Sequence, residues 1–314
     1  MKGYLIKRVM CLIPVMLGVS IITFMLINLV PGDPAEIILR AGGVEPTWEA
    51  MEALREELEL NDPVYVRYGK WLWNILHLDF GRSFRTGQPV SREILDRCPA
   101  TLELTLAGML VMLSVSFPVG ILAALYKNTV MDHLSRVVAL LGASLPSFWL
   151  GLLLIYYLSV KLALFPVMGR GGWDHRALPA LTLGFGMAAT YARLLRASML
   201  EVLGQDFIQA ARARGLKERV VILQNALKNA LLPVVTAFGM SFGHLLGGTV
   251  IVETIFAWPG MGKFMVDAIF NRDYPVVQGY VLFMAFIFVF ANLAVDISYH
   301  FLDPRIRLER GRSG

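Results

Sequence analysis

The chain has almost no cysteine. Its 314 residues hold two, Cys11 and Cys98, which fall at opposite ends of different apolar runs, so no disulfide framework is implied. Charge is scarce as well: Asp, Glu, Lys and Arg make up 17% of the residues, below the share usual in soluble domains. The five histidines, His77, His133, His175, His244 and His300, are scattered, and none pairs with another at metal-ligand spacing. HExxH, GxSxG and a complete phosphate loop are all missing. Gly262-Lys263 imitates the end of such a loop, but Ala257 stands where an earlier glycine is needed and Phe264 where Ser or Thr should follow. A clustered catalytic constellation is therefore not in view, and neither is a nucleotide site.

Hydrophobic residues fill the gap, at 56% of the chain with a mean hydropathy of +0.59. Runs near the roughly 20 residues that a helix needs to cross a bilayer predict an all-α integral membrane protein with six transmembrane helices, at about 9–30, 104–126, 137–160, 178–192, 231–252 and 276–301. The fourth run is short and holds Gly184 and Gly186; it counts as a span because removing it upsets the charge pattern. With six spans both termini share one side, which collects Lys2, Lys7, Arg8, Lys127, Arg136, the basic residues from Arg193 to Lys228, and Arg305, Arg307, Arg310 and Arg312. Far fewer acidic residues lie there. The positive-inside rule puts that side in the cytoplasm. The pI of about 9.2 follows from this bias and is not a nucleic-acid signal. Lys7-Arg8 ahead of an apolar run imitates a signal peptide, but the run is long, has no small-x-small site and leads into Pro31-Gly-Asp-Pro34, so it is kept as the first span.

The segment 31–100 is expected outside. Within it, 46–60 puts Trp48, Met51, Leu54 and Leu58 on one helical stripe, ended by Asn61-Asp62-Pro63. The stretch 64–80 mixes Tyr65, Tyr68, Trp71 and Trp73 with Arg67 and Lys70, which suits the headgroup level of a membrane. A lid over the spans and a landing surface for an external partner both fit. A second outer loop, 253–275, breaks at Trp258-Pro259-Gly260 and carries a short helix from about Lys263 to Ile269.

Between the fourth and fifth spans, 197–230 reads as a cytoplasmic helix pair. Strong helix formers run from Ala197, with Gly204 the one weak position, and halt at Gly215, where a glycine can take the left-handed cap conformation. Arg212 and Arg214 complement the negative helix end. A second helix, about Lys217 to Ala230, has no good N-cap, and Pro233 opens the fifth span. Ala210, Ala211 and Ala213 let another backbone approach closely. The bend fits a groove on a cytosolic partner, or is an ordinary basic loop.

Ala210-Ala-Arg-Ala-Arg-Gly215 and Asn229-Ala-Leu-Leu-Pro233 resemble the EAA loop of ABC-importer permeases. Gln209 stands where the general motif has Glu; the peptide and nickel branch of the family often lacks that residue. Further blocks in family order resemble that branch across essentially the whole chain: Ile6-Lys7-Arg8, Leu29-Val-Pro-Gly-Asp-Pro34, Leu78-Asp-Phe-Gly-Arg-Ser83, Ala192-Arg-Leu-Leu-Arg-Ala-Ser-Met199, Trp258-Pro-Gly-Met-Gly262, Arg272-Asp-Tyr-Pro-Val-Val-Gln278 and Leu302-Asp-Pro-Arg-Ile-Arg307. His77-Leu-Asp-Phe-Gly81, Gly171-Gly-Trp-Asp-His175 and Phe256-Ala-Trp-Pro259 through Ile269-Phe-Asn-Arg-Asp-Tyr-Pro275 are most similar to nickel permeases, while dipeptide permeases share much of the pattern.

The resemblance implies a type I importer permease fold filling 1–314 as one domain in a bacterial inner membrane, forming half of an ATP-driven translocation pathway for nickel or a nickel chelate, with dipeptide or oligopeptide as the alternative cargo. It implies no cofactor in this chain, with ATP and magnesium bound by partners. Those partners would be two cytosolic ATPases, a second homologous permease and an extracytoplasmic substrate-binding protein. Gln209, Ala210, Ala211, Arg212, Arg214, Gly215 and Leu216 would couple to the ATPase.

On the fifth span Gly239, Gly243 and Gly247 share a stripe, read as close helix packing. His244 is an ionisable residue at mid-span, with Met240, Ser241 and Gly248 on its face. It lines a translocation route, touches a passing metal, or bonds to a neighbouring helix. Asp296 lies near the cytoplasmic end of the sixth span, and Glu103 starts the second. An ion-coupled secondary transporter needs intramembrane carboxylates and usually an inverted repeat; only Asp296, with Glu103 at an edge, offers itself.

Overall fold

The computed structural model describes residues 2–302, without the side chains of 2–9, 11, 41, 239–244, 246 and 294–302. The helices run α1 Lys2–Leu29, α2 Pro34–Ala41, α3 Trp48–Glu57, α4 Val64–Leu76, α5 Val90–Leu125, α6 Val130–Ser144, α7 Ser147–Leu154, α8 Trp173–Leu203, α9 Asp206–Ala213, the single turn α10 Glu218–Val220, α11 Leu227–Ile255, α12 Met261–Phe270 and α13 Tyr274–Leu302. Two π-helical stretches, Ile155–Lys161 and Val221–Ala226, extend α7 and join α10 to α11. Among the described residues there is no strand, only one antiparallel bridge between Arg82 and Pro89.

Four of these stretches are long and apolar enough to cross a membrane: Leu12–Leu29, Val90–Leu125, Glu218–Phe238 and Tyr274–Leu293. A fifth exists if α6 and the helix after it count as one span broken by a 102° bend. The break has a local cause. Leu145 precedes Pro146, so its backbone is pushed out of the helical region and sits at φ −76°, ψ 124°. The expected run 137–160 is thus two helices rather than one. The run 178–192 lies inside the 31 residues of α8, whose middle is diluted by Thr182, Gly184, Gly186, Thr190 and Tyr191. Much of helix α8 between Leu178 and Met199 is buried, with Thr190, Arg193 and Ala197 exposed on one stripe, and the faces of a helix that pack on other helices need small and weakly polar contact residues more than greasy ones.

The chain divides into two compact units. The first comprises 1–99 and 260–290. In it, Phe24 of α1 packs against Tyr68 and Trp71 of α4, each at a centroid distance of 5.4 Å, and the Ser20 and Tyr68 hydroxyls share a 2.8 Å hydrogen bond. Half of the α4 aromatics therefore face α1, while Tyr65 and Trp73 stay exposed. Asp33 caps α2 through Ala35 N and accepts from Arg55 of α3 at 2.5 and 2.9 Å. Helix α3 ends at Glu57, ahead of Asn61-Asp62-Pro63. A core of Val90, Ile94, Met261, Ala268, Val276 and Tyr280 joins the start of α5 to α12 and α13.

The second unit comprises 100–259 and 291–314. Here α8 packs against α6, α7 and α11. Its backbone also approaches α5 closely: a Cβ placed on Gly184 would collide with the Gly108 carbonyl and lie 2.9 Å from Val111 Cβ, and one on Gly120 would stand 2.9 Å from the Ala192 carbonyl. Close packing was expected from the glycines of the fifth span. At Gly247 nothing lies within 4 Å of an added Cβ, while Gly108, Gly184 and Gly120 make a tight crossing between α5 and α8. Gly239 and Gly243 lie among the residues whose side-chain surroundings are not described.

Candidate functional site

After Leu203 the chain stops at Gly204, makes a one-residue step and restarts as α9. Gly204 is thus a break between helices rather than a weak position within one. Two side chains anchor α9: Ile208 and Ala211 are buried with Val221, Ala226 and Met199. This pins one stripe of the helix and turns the rest outward. Phe207, Gln209, Ala210, Arg212, Ala213, Arg214, Gly215 and Leu216 are all exposed.

Gly215 adopts φ +76°, the left-handed conformation a glycine takes without steric cost, and its N–H bonds to the Arg212 carbonyl at 2.9 Å. Nothing lies within 4 Å of where its Cβ would be. Arg212 reaches across the turn to Glu218, Nη2 to Oε1 at 2.6 Å and Nε to Oε2 at 3.2 Å. That carboxylate raises the Arg212 pKa. The pair is exposed on both sides, so it shapes the turn more than it stabilises the chain. Arg214 Nε contacts the Ala210 carbonyl at 3.3 Å. A short, basic, alanine-rich ridge, held by two buried residues and closed by a turn at Gly215, thus leaves backbone and guanidinium groups exposed.

The second helix of the expected pair does not stand apart. After α10 the chain runs through the π-helical Val221–Ala226 straight into α11, and Pro233 lies inside that helix instead of opening it. The Asn225 side chain donates to the Val220 carbonyl at 3.3 Å in this stretch.

Of the expected pathway residues, Met240, Ser241 and His244 lie on the helical backbone of α11, but their side chains are outside the described residues, as is Asp296 on α13. Gly248 is described: Leu183 Cδ1 of α8 lies 3.5 Å from an added Cβ. Glu103 does not open a helix, because α5 begins at Val90. It forms ion pairs with Arg170, at 2.6 Å, and with Arg176. Two buried pairings had no signal in the sequence. Asp132 on α6 binds Arg196 on α8, and the Thr101 hydroxyl donates to the buried carboxylate of Glu253 at 2.6 Å.

Several helices long and apolar enough to cross a bilayer define an integral membrane protein. The chain belongs to the family described as binding-protein-dependent transport system inner membrane component, matched over residues 116–308; the family's N-terminal part matches residues 1–105. It is 41% identical over 98% of its length, and 99% of the relative's, to the glutathione transport system permease protein GsiC of Escherichia coli (strain K12). The protein of the same name from Salmonella paratyphi A is 40% identical over the same shares. Among solved structures, the MetNI methionine ABC transporter in an inward-facing conformation matches with a TM-score of 0.57 at 19% identity, over 67% of this chain and 96% of that one. An amino acid ABC transporter with histidines matches with a TM-score of 0.52 at 17% identity, over 68% and 94%. The protein is accordingly a non-catalytic permease subunit of an ABC importer.

Proposed function

We propose that this chain forms half of a translocation pathway for a short peptide of the glutathione type, and that α9 with the Gly215 turn is the handle by which an ATPase moves it. The observation that carries this reading is the exposed ridge from Gln209 to Leu216, fastened to the helices behind it by Ile208 and Ala211. A pull on the ridge is transmitted through these side chains to α8 and to the stretch that opens α11. The full assembly comprises this permease, a second homologous one, two cytosolic ATPases that bind ATP and magnesium, and an extracytoplasmic binding protein that delivers cargo. ATP binding closes the ATPase pair and opens the spans outward; hydrolysis reverses this.

In this reading the chain crosses a bacterial inner membrane six times, with α8 as the fourth span and both termini in the cytoplasm. Met240, Ser241, His244 and Gly248 face the route. Peptide is preferred to nickel because relatives 41% identical over nearly the whole chain are named for glutathione, whereas the nickel assignment rests on short blocks that dipeptide permeases share.

The test has two arms. Cells lacking this chain are given labelled glutathione or radioactive nickel, and loss of peptide accumulation with normal nickel uptake supports the cargo; the reverse result replaces it. A crosslinker placed at Arg214→Cys in intact cells is expected to capture an ATP-hydrolysing subunit, and consistent failure to do so sinks the coupling assignment.

A further inference from the structure

The first unit contains a cavity of about 730 Å³, within the range of about 300–1,000 Å³ typical of small-molecule sites. Its walls include Phe24 and Asn28 of α1, Arg67 and Trp71 of α4, and Tyr274 and Gln278 of α13. Two of its cations are already balanced. Arg55 pairs with Asp33 at 2.5 Å and Glu52 at 3.0 Å, and Lys70 pairs with Glu59 at 2.7 Å and Asp62 at 2.9 Å. Arg67 has no such contact: among the described residues no carboxylate lies within ion-pair distance of it, and only Asp62 acts on it from further away, although it is half-buried. Burial lowers its pKa, and a guanidinium responds to such a setting by taking an anion, since it stays protonated.

A second observation points the same way. Tyr274 is 9% exposed, and its hydroxyl is buried with no hydrogen-bond partner among the described residues, which a protein interior rarely tolerates without a ligand or solvent acceptor. Gln278, 8% exposed, follows one turn later on α13 and lines the same cavity. A guanidinium without a direct ion pair, a phenol without a partner among the described residues and an amide thus share one space with the aromatic faces of Phe24 and Trp71.

We propose that this cavity binds a short peptide by its carboxylate, with the planar fork of Arg67 taking the two oxygens, the Tyr274 hydroxyl donating to the same group and Gln278 meeting a peptide amide. The anion chemistry comes from the cavity; the peptide identity and the extracytoplasmic placement rest on the proposed function. The permease would then hold cargo outside the membrane in its own right, in addition to any held by a binding protein.

The test is equilibrium binding of tritiated glutathione to the full chain in lipid nanodiscs. Saturable binding by the wild type is expected, weakened about tenfold or more in Arg67→Gln, the effect of losing a charge-assisted hydrogen bond. Tyr274→Phe should also weaken it, and Arg67→Lys should fall between Arg67→Gln and the wild type. Tyr274→Phe removes an oxygen that bonds to nothing among the described residues, so it tests the site with little threat to the fold. Binding that is unchanged in Arg67→Gln and Tyr274→Phe overturns the proposal, as does absence of saturable binding in the wild type. Phosphatidylglycerol retained by the wild type and lost from Arg67→Gln in native mass spectrometry, with no glutathione binding, also overturns it and gives the cavity to a lipid headgroup. Glutathione uptake by cells carrying the chain, with no binding to it in nanodiscs, sinks the site alone; saturable binding without uptake sinks the cargo assignment alone.

Discussion

Asp132 and Arg196 meet in a two-pronged ion pair, Nε to Oδ1 at 2.7 Å and Nη2 to Oδ2 at 2.8 Å. Asp132 is fully buried and also accepts from the Asn128 backbone N–H at 2.9 Å, while Arg136 stands 3.4 Å away on the same helix. The pair fastens the first turn of α6 to α8. Arg196 lies in the last turns of α8, the helix that leads through Gly204 into the exposed ridge.

Removing one partner is therefore expected to hurt more than removing both. Arg196→Ala leaves a buried carboxylate without its main counter-charge and should cost about 3 kcal/mol or more, read as a lower melting temperature of the detergent-purified chain. Combining Arg196→Leu with Asp132→Leu should recover most of that loss. A double variant no more stable than Arg196→Ala would show that the pair does more than neutralise itself.

At Gly215 the conformation and the space can be separated. A valine there must adopt a positive φ, which costs roughly 1–2 kcal/mol, but its Cβ meets nothing within 4 Å, so insertion and folding should survive. Gly215→Val is expected to cut uptake while ATP hydrolysis persists, whereas Gly215→Asn, which tolerates the left-handed region, should stay near wild type. Equal transport by all three proteins would argue against a coupling role for the turn.

The glycines of α8 give a steric prediction. Gly184→Ala forces a methyl group into the Gly108 carbonyl and Val111, an overpacking that should cost about 1–3 kcal/mol. Two controls distinguish crowding from helix propensity. Gly186→Ala has its nearest neighbour at 4.0 Å and Gly247→Ala has none within 4 Å, so both should be neutral or slightly stabilising. Thermal unfolding followed by size-exclusion chromatography would read all three.

Asp273 organises the loop before α5. Its carboxylate accepts from the Ser83 hydroxyl at 2.5 Å and from the Phe84 N–H at 3.1 Å. Asp273→Ala should leave these buried donors unsatisfied, at about 1–3 kcal/mol, and expose the 84–89 stretch to limited proteolysis. Ser83→Ala should do so more weakly, since the backbone donor keeps its acceptor. Protease resistance equal to the wild type in Asp273→Ala would mean that the apolar core around Val90 and Tyr280 holds the loop alone.

Much of the site could be read along the chain. The halt at Gly215 follows from a glycine after a run of helix formers and arginines, and the ordered short blocks led to the family. Other expectations failed for local reasons that periodicity does not register. Pro146 splits the third run because a proline restricts the residue before it, and Pro233 sits inside α11 although prolines commonly open helices. The continuous passage from Glu218 into α11 leaves no mark in the sequence, because a π-helical stretch carries no distinctive residue pattern.

Composition and order alone determined that the protein lives in a membrane, that it carries no catalytic constellation of its own, and that a basic turn interrupts its apolar helices. These properties depend on local hydropathy and on neighbours a few residues apart, which any single sequence displays. Only the tertiary structure decided that Asp132 belongs with Arg196 and Glu103 with Arg170, that Gly108 and Gly184 make the tight crossing, and that Arg67 and Tyr274 share one cavity. Such pairings join residues tens or hundreds of positions apart, and their energy appears only once packing has removed water and brought the backbones together.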